Sequence, residues 1–156
     1  MIWSRPGGGR VAATSEVWEV WSAAMRDAMA GAETGGILLG RRLKDSADVV
    51  IDQALPALQE DDRGFLSFIR GEAHQRSVDR AWRDSMGVIN YLGDWHTHPQ
   101  RVPSPSGRDV QTWRRLASIQ QEEHRPLFFF ILGNEGISAW ESGKSLWPMD
   151  GEIQGE

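Results

Sequence analysis

The sequence predicts one α+β or three-layer α/β/α domain built around a single curved mixed sheet. Three observations lead there. Stretches with apolar residues at helical spacing are interspersed with short apolar runs of strand length. At 156 residues and 40% hydrophobic, the chain is long enough for one domain with a real core but not comfortably for two. No internal repeat is present, and there is no low-complexity segment beyond the terminal glycines.

Residues 1–13, which contain Pro6-Gly7-Gly8-Gly9, read as a loose or short-strand lead-in. From Thr14 or Ser15 to Met29, the residues Val17, Trp18, Val20, Trp21, Ala24, Met25 and Ala28 recur at helical spacing. This predicts an amphipathic helix packed by its tryptophans and ended by Gly31. Ile37-Leu38-Leu39 reads as a buried strand, with Ala47 to Ala54 as its hairpin partner around Asp45-Ser46. The acidic stretch from Pro56 to Arg63 reads as a solvated loop and Phe65 to Ile69 as a strand. Gly71 to Met86 places Val78, Ala81, Trp82 and Met86 at helical spacing, the second helix. Val88 to Trp95 is then a strand, and Asp109 to Gln120, with Val110, Trp113 and Leu116 on one face, a third helix. Leu127 to Leu132 and Ile137 to Trp140 complete the sheet. Residues 14–142 form the expected domain and residues 143–156 a tail, poorly ordered from Trp147 onward.

Composition narrows the function. A net charge of −5 lacks the basic footprint of a nucleic-acid binder. With no cysteine, disulfides, thiolate zinc sites and cysteine nucleophiles are excluded, so histidines and carboxylates must do any metal work. No run of about 18 apolar residues and no apolar N-terminal stretch occurs, which leads us to expect a soluble, cytoplasmic protein with no membrane partner.

The densest chemistry lies at His96-Thr97-His98-Pro99, followed after a proline-rich loop by Ser106-Gly107-Arg108-Asp109. Residues two apart on a strand share a face, so His96 and His98 can grip one metal ion. Asp109 is the natural third ligand of a zinc set that leaves one position open. Pro99, Pro103 and Pro105 stiffen the connection that returns Asp109 to the imidazoles. Ser106 and Asp109 also read as the start of a helix, Ser106 as cap and Asp109 favoured by the dipole, and both readings can hold together. Asp94 falls on the face of the two histidines, either as an orienter behind them or as a plain strand-end charge, the latter slightly favoured. Trp95 and Trp113 are expected in the core beneath the motif, and His74 and His124 at the surface.

His-x-His-Pro, seven residues to a Ser and two more before an Asp, resembles the motif of the JAMM (MPN+) metalloprotease domain. The family's upstream glutamate is matched by Glu33 in Glu33-Thr34-Gly35-Gly36-Ile37-Leu38-Leu39-Gly40, and the resemblance runs from about Val17 to Trp140. It implies the three-layer fold, described in the family as cytidine-deaminase-like. It also implies Zn2+ held by His96, His98 and Asp109, Glu33 as general acid-base and Ser106 as a donor to the oxyanion. The implied activity is cleavage of isopeptide or peptide bonds at the C-terminus of a ubiquitin-like protein by a compact bacterial enzyme. Its expected partners are that protein or its conjugate, with activating and conjugating enzymes of one operon linked to antiphage defence. Release of cysteine or another small group from a sulfur-carrier protein is the second enzymatic reading, and a non-catalytic MPN scaffold the reading from another class.

Overall fold

The computed structural model describes residues 1–56, 72–120 and 125–152. Eight strands and three helices follow the order β1 (Ile2–Ser4), β2 (Arg10–Ala13), α1 (Ser15–Met29), β3 (Gly35–Arg42), β4 (Val49–Pro56), α2 (Glu72–Asp84), β5 (Asn90–Thr97), α3 (Gly107–Gln120), β6 (Phe128–Leu132), β7 (Ile137–Ser142) and β8 (Leu146–Glu152). The strand expected over Phe65 to Ile69 and most of the acidic loop before it lie outside the described residues, as does His124.

The sheet closes on itself in the order β1-β2-β4-β3-β5-β6-β7-β8. Most neighbours are antiparallel, while β2 with β4 and β5 with β6 run parallel, so the sheet is mixed. The sheet is mixed as expected and its curvature runs to full closure, while the expectation of a poorly ordered tail from Trp147 onward is corrected as far as Glu152. The stretch from Leu146 is a strand that pairs with β7 on one side and, through Trp3 opposite Gly151, with β1 on the other. Its Met149 is buried with the main core, so this end of the chain gains apolar contact as well as hydrogen bonds.

Helix α1 forms where the apolar spacing places it. Thr14 caps it, its Oγ1 accepting from Val17 N at 3.4 Å, and Thr14 N donates to Ile51 O at 3.2 Å, which ties the helix start to β4. At the other end Gly31 takes φ +93°, and the amides of Gly31 and Ala32 bond back to Ala28 O and Asp27 O. Val17, Trp21 and Ala24 pack with Trp3, Leu38, Trp95 and Phe130 in the principal core. Helix α2 packs Val78 and Ala81 against Ile37 and Leu39, and α3 packs Trp113 and Leu116 against Phe129 and Ile131.

Not every residue of the predicted apolar stripes is in the core. Trp18 is 40% exposed on α1, and Trp82 and Met86, on and just after α2, are 51% and 92% exposed. On each helix the inward arc is narrower than the stripe, so these side chains cover the outer flank. His74, expected at the surface, is buried at 2% exposure, because α2 turns it toward the sheet.

Candidate metal centre

Strand β5 delivers His96, the residue just past its end is His98, and the first turn of α3 delivers the aspartate. From Asp94 onward β5 keeps its alternation, so Trp95 and Thr97 are buried away from the motif face while Asp94, His96 and His98 share a side. His96 Nε2 lies 3.1 Å from His98 Nε2, and each is 3.5 Å from Asp109 Oδ2. No two of these three donor atoms are farther apart than that, and they form the His/Cys/Asp/Glu cluster of metal-binding geometry among the described residues. Two imidazole nitrogens and a carboxylate oxygen facing one point suit a single divalent cation.

Ser106 and Asp109 bond reciprocally across the helix start. Ser106 N donates to Asp109 Oδ2 at 2.8 Å, and Asp109 N donates to Ser106 Oγ at 3.1 Å. The same carboxylate oxygen therefore faces both imidazoles and is fixed by a backbone amide. Burial pushes the Asp109 pKa up, but the His96 ring and the Ser106 N–H outweigh it and bring it down to about 2. Asp109 is thus an anion at neutral pH. Ser106 is exposed, and the cap uses its oxygen only as an acceptor, which leaves the hydroxyl proton for another partner.

Glu33 is exposed and stands outside the three-residue cluster. Its position follows from strand register. Gly35 pairs with His96, and Thr34 bonds Thr97 three times through main-chain and hydroxyl groups: Thr97 N donates to Thr34 O at 2.8 Å, Thr34 N to Thr97 Oγ1 at 2.9 Å and Thr97 Oγ1 to Thr34 O at 3.2 Å. Glu33 is the residue before Thr34, next to the end of this pairing where the chain leads on from Thr97 to His98. Gly35 is required for the approach, since a Cβ there would lie 2.7 Å from Trp95 O and 2.9 Å from His96 Cβ.

Asp94 is not a plain strand-end charge, and here the structure overturns the favoured reading. Its side chain is fully buried, with Oδ1 accepting from the Tyr91 hydroxyl at 2.8 Å and Oδ2 without a hydrogen-bond partner. Burial raises its pKa to about 7 against the lowering effect of the Tyr91 bond. Tyr91 and Asp94, three apart, would face opposite ways on a regular strand. The register shift against β3, which pairs Leu38 with Gly93 and Leu39 with Tyr91, inserts Leu92 as an extra residue and brings them to one side. The only sequence trace of this pair is Gly93, which takes φ +144°. Trp95 and Trp113 are fully buried, as expected, with the Trp113 ring 6.3 Å from that of His96.

Similarity to known proteins agrees with this geometry. The chain is 35% identical over 106 residues to a protein of Pseudomonas aeruginosa named CD-NTase/cGAS isopeptidase, a match covering 67% of this chain and 65% of that one. A protein of Vibrio cholerae with the same name is 39% identical over 83 residues, 53% of each chain. A probable metalloprotease of Sinorhizobium fredii is 34% identical over 104 residues, covering 65% of this chain and 63% of that one. In each case the match spans less than two thirds of the relative's own length. The solution structure of a protein from Desulfitobacterium hafniense shares the fold, with a TM-score of 0.57, 21% identity and 88% of both chains covered. The prokaryotic homologues of the JAB domain match residues 16–143, a span that holds Glu33, both histidines, Ser106 and Asp109. With most of its length and its whole candidate metal centre inside that match, the chain belongs to the prokaryotic JAB family.

Proposed function

We propose that this protein is a zinc metallopeptidase of isopeptidase type, cleaving at the C-terminus of a bacterial ubiquitin-like protein to mature it or release it from a conjugate. The convergence of His96, His98 and Asp109 carries this reading. Zinc bound tetrahedrally by nitrogen and oxygen at its usual bond lengths sets its ligand atoms about 3.3–3.5 Å apart. The separations of 3.1, 3.5 and 3.5 Å sit close to that value. The names of the relatives support the reaction class, isopeptidase in two and probable metalloprotease in the third.

His96, His98 and Asp109 would hold the ion, with the Ser106 amide fixing the aspartate. Bound there, zinc supplies a Lewis acid that polarises the scissile carbonyl and activates water near neutral pH. Glu33, next to the Thr34–Thr97 contact and open to solvent, takes a proton from the attacking water and hands it to the leaving amine. The Ser106 hydroxyl donates to the oxyanion while its oxygen keeps the helix cap. The burial of α1 against one set of sheet residues and of α2 and α3 against another supports a helix-sheet-helix layering around the closed sheet.

An extended substrate tail would suit a groove beside a sheet edge, but among the described residues every strand has a partner on both sides. The tail would instead be read by the loops around the metal centre. A sulfur-carrier substrate would use the same residues. The complete ligand set disfavours a scaffold without metal.

Metal analysis and a cleavage assay test the proposal, using a ubiquitin-like protein joined to a lysine side chain through its C-terminus. Stoichiometric zinc and chelator-sensitive cleavage are expected. Glu33→Ala should keep zinc and lose about 100-fold or more in turnover. Ser106→Ala should lose about 100- to 1000-fold, with only about 1 kcal/mol of stability, which separates the oxyanion role from the cap. A purified chain free of zinc and indifferent to chelator would favour the scaffold.

A further inference from the structure

The two halves of the metal centre are joined by the loop from Pro99 to Pro105, and that loop is moulded on the turn between β6 and β7. Asn134 N donates to Gln100 O and Glu135 N to Arg101 O, both at 2.8 Å. Ser138 Oγ donates to Pro103 O at 2.7 Å, and Pro103 is buried. The Arg101–Glu135 ion pair on top is largely exposed and adds little.

Gly133 makes this contact possible. A Cβ at this position would lie 2.5 Å from Pro103 Cδ, 2.7 Å from Gln100 O and 2.9 Å from Arg101 O. Two of these are backbone carbonyls, and they accept the turn's own amides, so neither can swing aside without breaking the ladder. Gly136, in the same turn, provides the contrast. Its Cβ would meet only Val102 Cγ2, at 3.8 Å, an ordinary contact.

We infer that Gly133 is a positioning residue for the metal centre, holding the proline-rich loop close enough to the β6–β7 turn for Asp109 to face His96 and His98. The inference rests on the reading of those three residues as metal ligands. Gly133 touches none of them. It acts on the distance between a strand fixed in the sheet and a helix tethered to it through this loop. Substitutions that displace groups supporting a ligand typically weaken metal binding about 10- to 100-fold.

The test is the affinity of the full chain for zinc, measured by competition with a chromophoric chelator, together with the visible spectrum of the cobalt(II)-loaded protein and the thermal melt of the metal-free one. Gly133→Ala is expected to weaken zinc binding by about 10-fold or more and to change the cobalt spectrum, while Gly136→Ala leaves all three unchanged. Ser138→Ala, which deletes the bond to Pro103 O without adding bulk, should weaken zinc binding by a smaller factor and carries the test if Gly133→Ala does not fold. A folded Gly133→Ala protein, or in its place a Ser138→Ala protein, with wild-type affinity and spectrum would overturn the inference and leave the ligand set standing. A wild-type chain that takes up neither metal would overturn the ligand set itself.

Discussion

Asp94 lies two residues behind a candidate ligand, sealed from water with one oxygen bonded to Tyr91 and the other unpartnered. An acid whose pKa is raised on folding, here from 3.8 to about 7, binds its proton more tightly in the folded chain than in the unfolded one. Stability from this group is therefore greatest at low pH and falls as pH rises from about 4 to about 7. Asp94→Asn should flatten that fall in melts of the metal-free protein across this range. An unchanged slope would show that the carboxyl titrates as it does in the unfolded chain. Asp109 has the opposite sign, with its stabilisation present above about pH 4 and lost only as pH falls toward 2. At this scale the sequence made His96, His98 and Asp109 legible because two-residue alternation and a capped helix start are local rules. It did not reveal the Tyr91–Asp94 pair, whose spacing is wrong for a regular strand.

Among the elements, β5 carries the feature that reconciles that spacing. Leu92 faces the principal core and Tyr91 the opposite side, with Gly93 absorbing the offset between them. A Cβ on Gly93 would stand 1.8 Å from Phe128 O, at a φ that side chains rarely adopt. Gly93→Ala should therefore lower stability by roughly 2 kcal/mol or more in denaturant unfolding, well beyond an exposed glycine substitution. A loss below about 0.5 kcal/mol would mean that β5 and β6 separate easily here. Helix α1 was readable because the cap, the apolar spacing and the terminal glycine all lie within the segment. The bulge was not, because its cause is the crowding of a neighbouring strand, and the outward turn of Trp82 was not, because the width of an inward arc depends on what it packs against.

For the molecule as a whole, closure of the sheet is the least local feature and was the least visible. β8 pairs with β1 from the opposite end of the chain, and Gly151 admits the Trp3 indole so closely that a Cβ would lie 2.3 Å from its Nε1. No periodicity in a short stretch containing Pro148 and Gly151 announces a partner about 150 residues away. A chain ended after Gly143 should lose Met149 and both seams of β8, and its melting temperature should drop by roughly 10 °C or more, or cooperative melting should vanish. Retention of the full-length melting temperature would mean that the ring stands without its last strand.

The metal centre is assembled from parts of unequal rigidity. One donor sits on a strand gripped from either side and the second directly follows it, bonded to Leu132, whereas the third is reached only after ten further residues of connection. An ion lodged between them would work as a rivet, clamping the start of α3 to the ring. Its withdrawal would then let that helix end fray while the barrel wall stays shut, so that loss of catalytic capacity and loss of fold become separate events.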